Sequence, residues 1–312
     1  MAKHFTIESA VQKRPPLLQA VLFDFHRSYT RRLILYRTFA VGAYVFIVDY
    51  LENYVLHVAF KPPYTLFYLL GYVLYWLLVF RTYTAYDRWW KGRIEISYLS
   101  NTAKNFSSKL NAYLPVSDTE NRLFFAQMIT NHAYAMKELL RYGVKYNELV
   151  ELKPGELDDL KRAYHITTEI ALKIVERLTK LYKEGKLSQT QFWEMHKYTD
   201  RMTEIVGNCE RIRTSPMPFS YNVHLKKFIL FFALISPFYF VHEINHWSVL
   251  IIMVIFYALS GLEVIGEEIE DPFGQDENDL PIDYVCGTIK RYACLNLGVT
   301  FPKINKISTE KH

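Results

Sequence analysis

His242-Glu243-Ile-Asn-His246 matches the H-E-x-x-H pattern, in which two imidazoles one helical turn apart hold zinc and the glutamate acts as general base. Taken alone, that spacing describes a membrane metalloprotease. The pentapeptide, however, fills a short connection between two apolar runs. No third ligand stands at the usual spacing either, because Glu263 and Glu267 are a whole membrane crossing away. Polar residues at a hairpin turn account for it more simply. A second stretch, residues 267–281, places seven acids in fifteen residues around a central Asp-Pro-Phe-Gly. Carboxylates and carbonyls at that density suit a hard cation such as calcium, although the spacing is not that of an EF-hand loop. The plainer alternative is a solvated acidic turn. Third, Tyr72, Trp76 and Phe80 recur at i, i+4 and i+8 and so share one helix face. Such a row is either an aromatic packing stripe or a set of rings facing a pore. No Walker loop, strand-flanked G-x-G-x-x-G or G-x-S-x-G elbow appears in the sequence.

The aromatic row lies in a run from Tyr64 to Phe80 that contains no charge and is about 26 Å long as a helix, at the short end of what spans a bilayer. It passes without a linker into Arg-Thr-Tyr-Thr-Ala-Tyr-Asp-Arg-Trp-Trp, which faces water. A first span is expected over Leu33–Val48, with Asp49, Glu52 and His57 at or beyond the far interface. Lys61-Pro62-Pro63 then makes a turn, since proline cannot continue a helix interior. Two more apolar runs, Phe228–Val241 and Ser248–Leu262, form an antiparallel hairpin, the first kinked by Pro237. Residues 81–221 are charged and helix-periodic, with breaks at 153–155 and 184–186, and read as a water-exposed helical domain that ends at 214–219. The predicted order is a cytosolic segment 1–31, a helix pair 32–80, the helical domain 81–221, a helix pair 222–265 and an acidic C-terminal region 266–312.

Composition agrees with such a mixed object. The chain has 312 residues, of which 22% are charged and 16% aromatic, and its mean hydropathy is near zero. A net charge of +5 gives no footprint for nucleic acid. Cys209, Cys286 and Cys294 form no CxxC pair, which speaks against a disulfide framework and for a reducing compartment. The opening sixteen residues lack the apolar run of a secretory signal, so insertion is expected to rest on internal segments. Arginines and lysines flank the spans at residues 31, 32, 37, 81, 88, 226 and 227, whereas the opposite connections hold only Lys61. A multi-pass protein of the cell membrane with both termini and the middle domain in the cytoplasm is therefore expected.

Three segments together, FRTYTAYDRWWKGR (80–93), GNCERIRTSPMPFSY (207–221) and EEIEDPFGQDENDLP (267–281), resemble the bestrophins in their bacterial form, in matching order over nearly the whole chain. The resemblance implies an all-α membrane protein, four spans per subunit, assembled as a homopentamer around one pore for passive ion conduction, and not an enzyme. It places a hydrophobic neck on Tyr72, Trp76 and Phe80 and a cytosolic constriction near Thr190. It implies no required cofactor. Calcium would be held, if at all, by a clasp at subunit interfaces, here Asp276 and Asp279, with Glu268 and Asp271 where amide ligands are usual. The implied partners are further copies of the chain, lipid and permeant ions. The neck departs from the mostly Ile and Phe pattern of the family in being wholly aromatic. Ring edges favour anions and ring faces favour cations, so the rings leave the ion open; the family's majority behaviour implies chloride first, with sodium or potassium, which bacterial members can pass, as the alternative. The rivals are the zinc protease of residues 242–246 and a membrane scaffold that conducts nothing.

Overall fold

A computed structural model describes residues 29–56, 63–141, 143, 146–152, 155–276 and 278–301. The N-terminal segment to residue 28, His57, the Lys61-Pro62 turn and the side chain of His242 fall outside the described residues. All regular structure among the described residues is helical: α1 Tyr29–Tyr50, a π-helical turn Leu51–Leu56, α2 Tyr64–Tyr113, α3 Thr119–Arg141, a 3-10 turn Tyr146–Glu148, α4 Glu156–Arg162, α5 Ile166–Lys183, α6 Gln189–Thr214, α7 Phe219–Ile235, α8 Pro237–Ile244, α9 Trp247–Glu270 and α10 Ile282–Leu297. The chain divides into two compact units, residues 1–83 with 218–266, and residues 84–217 with 267–312. Four helical segments are long and apolar enough to cross a membrane: Arg32–Val55, the apolar part of Tyr64–Tyr113, Phe219–Val241 and Trp247–Glu270.

The first unit is built on aromatic and branched side chains from α1, α2, α7, α8 and α9. Val45, Phe67, Leu74, Leu78, Leu225, Ile252 and Phe256 are among its buried members. Phe67 stacks on Phe232 with ring centroids 4.7 Å apart, and Tyr221 donates its hydroxyl to the Leu77 carbonyl at 2.7 Å, tying α7 to α2. Pro237 interrupts the third span as expected. Its ring nitrogen cannot reach back to the Ala233 carbonyl, and the Ser236 hydroxyl donates to that carbonyl instead at 2.9 Å. The first span differs from the sequence expectation. Helical structure does not stop before the acids but continues through them, so Asp49 and Glu52 lie in its wall and are buried. Asp49 is accommodated because Asn53, one turn on, donates to Oδ1 at 2.9 Å, and His246 Nδ1 lies 2.5 Å from Oδ2.

The second unit surrounds α3, which buries most of its length among α2, α5, α6 and α10. Ser188 and Gln191 form a reciprocal capping box that starts α6, and Gly185 supplies the positive φ that ends the preceding turn. Polar groups on α3 are satisfied from nearby loops: Asn131 exchanges hydrogen bonds with the Val150 backbone, at 2.8 and 2.7 Å. Arg122 is 4% exposed and donates to the carbonyls of Asn111, Leu114, Pro115 and Leu297 and to Asn111 Oδ1. It thereby closes the C-terminal ends of α2 and α10 together. Lys137 is buried between Glu138, Glu148 and Asp283. Burial works to lower its pKa, but the hydrogen bonds it donates to those carboxylates prevail and hold it above the ordinary lysine range.

His132, at the centre of α3, is buried and has no hydrogen-bond partner among the described residues at either ring nitrogen. Burial, and secondarily the nearby His165, push its pKa down to about 4. An unfolded histidine takes up its proton near pH 6.5, so the unfolded chain binds more protons between about pH 6.5 and 4. Stability present above pH 6.5 should fall by about 3 kcal/mol across that window. We expect His132→Leu to fold at neutral pH and to flatten the dependence of melting temperature on pH in this range. A slope unchanged from the wild type would show that other groups carry the acid sensitivity.

Candidate functional site

The membrane part of α2 is apolar on every side, and packing decides which face is covered. Phe67, Leu74, Leu78 and Arg81 are buried, following the helical period. The opposite face carries Tyr72, Trp76 and Phe80, which are 60%, 55% and 56% exposed in the single chain. Tyr72 meets Trp76 edge to face, with centroids 6.3 Å apart and planes at 79°. Tyr75 braces the same indole at 5.8 Å and 71°, and Phe80 packs on Tyr221 at 5.8 Å and 66°. The rings therefore form a braced surface in which edges are directed at faces. Tyr75 and Tyr221 were not singled out by the i, i+4 pattern. Tyr221 belongs to a helix far along the chain, and spacing within one helix carries no signal for it.

The acidic segment lies in the second unit, where all three stretches that carry the family resemblance meet. Arg88 donates to the carbonyls of Ile212 at 2.6 Å and Glu270 at 3.1 Å, and also to that of Ser215, closing the ends of α6 and α9. Trp89 Nε1 donates to the Asn278 carbonyl at 2.9 Å. A Cβ added at Gly92 would fall 3.2 Å from the Phe273 ring and from Pro272, so this close approach suits glycine. Within the segment, Asn278 donates to Glu268 at 2.9 Å and the Asp276 amide donates to Asp279 Oδ2 at 2.5 Å. A side chain at Gly274 would run into that same oxygen, 2.6 Å away. Asp279 Oδ1 has no hydrogen-bond partner among the described residues, and burial, only partly offset by the Asp276 amide, pushes this carboxyl up to about 6. Asp271 and Asp276 are exposed. Among the described residues, Glu268, Asp271, Asp276 and Asp279 do not converge, and no three His, Cys, Asp or Glu side chains are grouped to hold a metal.

Thr190 is exposed in the first turn of α6. At residues 242–246 the helical register that the zinc pattern needs is absent. Helix α8 ends at Ile244, and Asn245 adopts a positive φ of 49°, which takes His246 out of the helix. The remaining groups are engaged separately: Glu243 Oε1 accepts the Tyr64 hydroxyl at 2.6 Å, and His246 pairs with Asp49. The pentapeptide is thus a hairpin connection whose polar groups join α8 and the following turn to α2 and α1. The protease alternative is set aside on this geometry.

An all-helical chain with four apolar helices, one bearing an exposed aromatic row, is a multi-pass membrane protein. The family model for bacterial and fungal bestrophin proteins matches residues 9–293, and the chain belongs to the bestrophin family. A Nostoc protein named as a voltage-dependent anion channel-forming protein is 34% identical over 223 residues, covering 70% of this chain and 73% of that one. YneE of Escherichia coli carries the same description and is 26% identical over 274 residues, 86% of this chain and 88% of its own. A solved bacterial bestrophin homologue from Klebsiella pneumoniae superposes with a TM-score of 0.79 at 25% identity, over 86% of this chain and 99% of that one. By family the chain is a channel homologue and not an enzyme.

Proposed function

We propose that the protein is a homopentameric channel that conducts monovalent anions, chloride foremost, through a neck lined by Tyr72, Trp76 and Phe80. The observation that carries this reading is the row of three large rings on the one face of α2 that its own unit leaves uncovered. The relatives' description as anion channel-forming proteins favours anions. So does the chemistry of the row, since the Tyr72 hydroxyl and the Trp76 indole N–H can each donate to a passing anion. Thr190 as a second constriction would stand at the amino end of α6, where the helix dipole also favours negative charge. Apolar rings at the neck can gate by dewetting. Both termini and the helical domain face the cytoplasm in this proposal, as the arginines and lysines around the spans indicate. Calcium is assigned a regulatory place at the acidic segment, where the unpartnered Oδ1 of Asp279 would be completed by groups from a second copy.

One bilayer recording tests both parts. Under a KCl gradient the reversal potential of the purified protein is expected to move toward the chloride equilibrium potential; movement toward potassium would make this a cation channel. Added calcium is expected to change open probability, and the change should be lost in the Asp276→Ala, Asp279→Ala double variant. It should also fade as pH drops through about 6, where Asp279 takes up its proton. Currents indifferent to calcium would make the acidic segment purely structural.

A further inference from the structure

Helices α1, α7 and α9 of the first unit enclose a groove of about 340 Å³ whose lining includes none of Tyr72, Trp76 and Phe80. Arg37 of α1, Lys226 of α7 and Glu263 of α9 line it. Lys226 lies 3.5 Å from the buried Glu263 carboxylate, whereas Arg37 has no hydrogen-bond or ion-pair partner among the described residues. The lining thus offers one cation that is not engaged within it, the Arg37 guanidinium. The remaining wall is apolar, supplied by Val41, Ile229, Leu230 and Phe256.

The sequence fixes the depth of this groove in the membrane. Arg37 immediately precedes a charge-free run to Val48, Lys226 and Lys227 immediately precede one to Val241, and Glu263 immediately follows one that begins at Trp247. All three charged residues consequently stand toward the same end of their spans, from which long side chains reach the level of phospholipid phosphates. A small permeant ion has no use for the apolar wall, and a hydrocarbon chain alone has no use for the cations. A molecule with one negative charge at the interface and an acyl chain below it satisfies both.

We propose that this groove is a binding site for a single anionic glycerophospholipid, its phosphodiester against Arg37 and Lys226 and the upper part of one acyl chain along Ile229, Leu230 and Phe256. A zwitterionic lipid would bring its own cation up against the unpaired Arg37 guanidinium, which gives the site its preference. The inference uses the membrane setting of the helices and is independent of which ion the protein conducts.

Native mass spectrometry of the full chain, delipidated in detergent and titrated with phosphatidylglycerol or phosphatidylcholine of the same acyl composition, tests it. Phosphatidylglycerol is expected to bind about five- to tenfold more tightly, in keeping with the contribution of one or two basic side chains near a lipid surface. Arg37→Gln should remove most of that preference. This variant is preferred over Lys226→Gln, which would leave the buried Glu263 carboxylate without its cation. Leu230→Trp, which fills the apolar wall and keeps the charges, should weaken both lipids. Lys227→Gln, outside the groove, should leave the preference intact. Equal binding of the two lipids by the wild type, or an unchanged preference in Arg37→Gln, would overturn the assignment. Displacement of phosphatidylglycerol by inorganic phosphate would do so too, by making the site one for a small anion.

Discussion

Replacing Trp76 by alanine is expected to raise single-channel conductance several-fold. The indole is the largest of the three rings on the exposed face of α2, and one copy from each subunit would stand around the axis of the proposed channel. Removing it widens the opening and lowers the penalty for wetting a short apolar constriction. The fold should tolerate the change. Trp76 is 55% exposed and lies outside the packed core of its unit, so its loss forfeits mainly the edge-to-face contacts with Tyr72 and Tyr75. Contacts of that kind contribute about 0.5–1.5 kcal/mol each when well packed. Phe231→Ala is the matched control, since it removes an exposed ring of another span, away from the i, i+4 row. A larger unit current in Trp76→Ala and an unaltered one in Phe231→Ala would locate the neck at Trp76. An unaltered current in Trp76→Ala would move the constriction elsewhere along the conduction path.

The largest loss of stability is expected at Arg122, far from the aromatic row. Its guanidinium is buried and is the shared donor for the last carbonyls of α2 and for the Leu297 carbonyl at the end of α10. In Arg122→Ala those carbonyls would lose their donor in a region that water does not readily enter. Each orphaned buried group costs about 1–3 kcal/mol, and part of this is recovered as the two helix ends fray. We expect a net loss of about 3–5 kcal/mol, seen as a sharply lower melting temperature or as failure to accumulate the folded protein. Arg122→Lys should be intermediate, because an ammonium keeps the charge but cannot serve five acceptors in the planar arrangement of a guanidinium. A melting temperature for Arg122→Ala equal to that of the wild type would mean that other donors take over at both helix ends.

The amino-acid sequence by itself determined the elements and the row. A charge-free run long enough to span a bilayer, a proline inside the third span and the glycine at 185 act through local physics, and each is found where its local chemistry requires. The alignment of Tyr72, Trp76 and Phe80 on one face needs only the helical period. The same local reading ended the first span before Asp49, because an isolated carboxylate is costly in a membrane interior, whereas the helix itself runs on through it. Asp49 is paired there by Asn53, one turn on, and by His246, which reaches it across 197 positions of sequence. The zinc pattern at 242–246 failed for a related reason: spacing in sequence implies a shared helix face only while the helix continues, and this one ends at Ile244.

Tertiary structure alone decided which groups meet. Arg88 was visible only as a flanking cation and as part of a family pattern, and Trp89 only as the latter; their partners lie more than a hundred positions away, at the ends of α6 and α9 and in the acidic segment. Arg37 and Lys226 each read as one more basic residue beside a span, until folding placed both in one groove with Glu263. A side chain's type and its nearest neighbours set its intrinsic preference for helix, turn, water or lipid. What a charged or aromatic group does is set by what it faces, and in this chain that is supplied from distant sequence by the packing of helices.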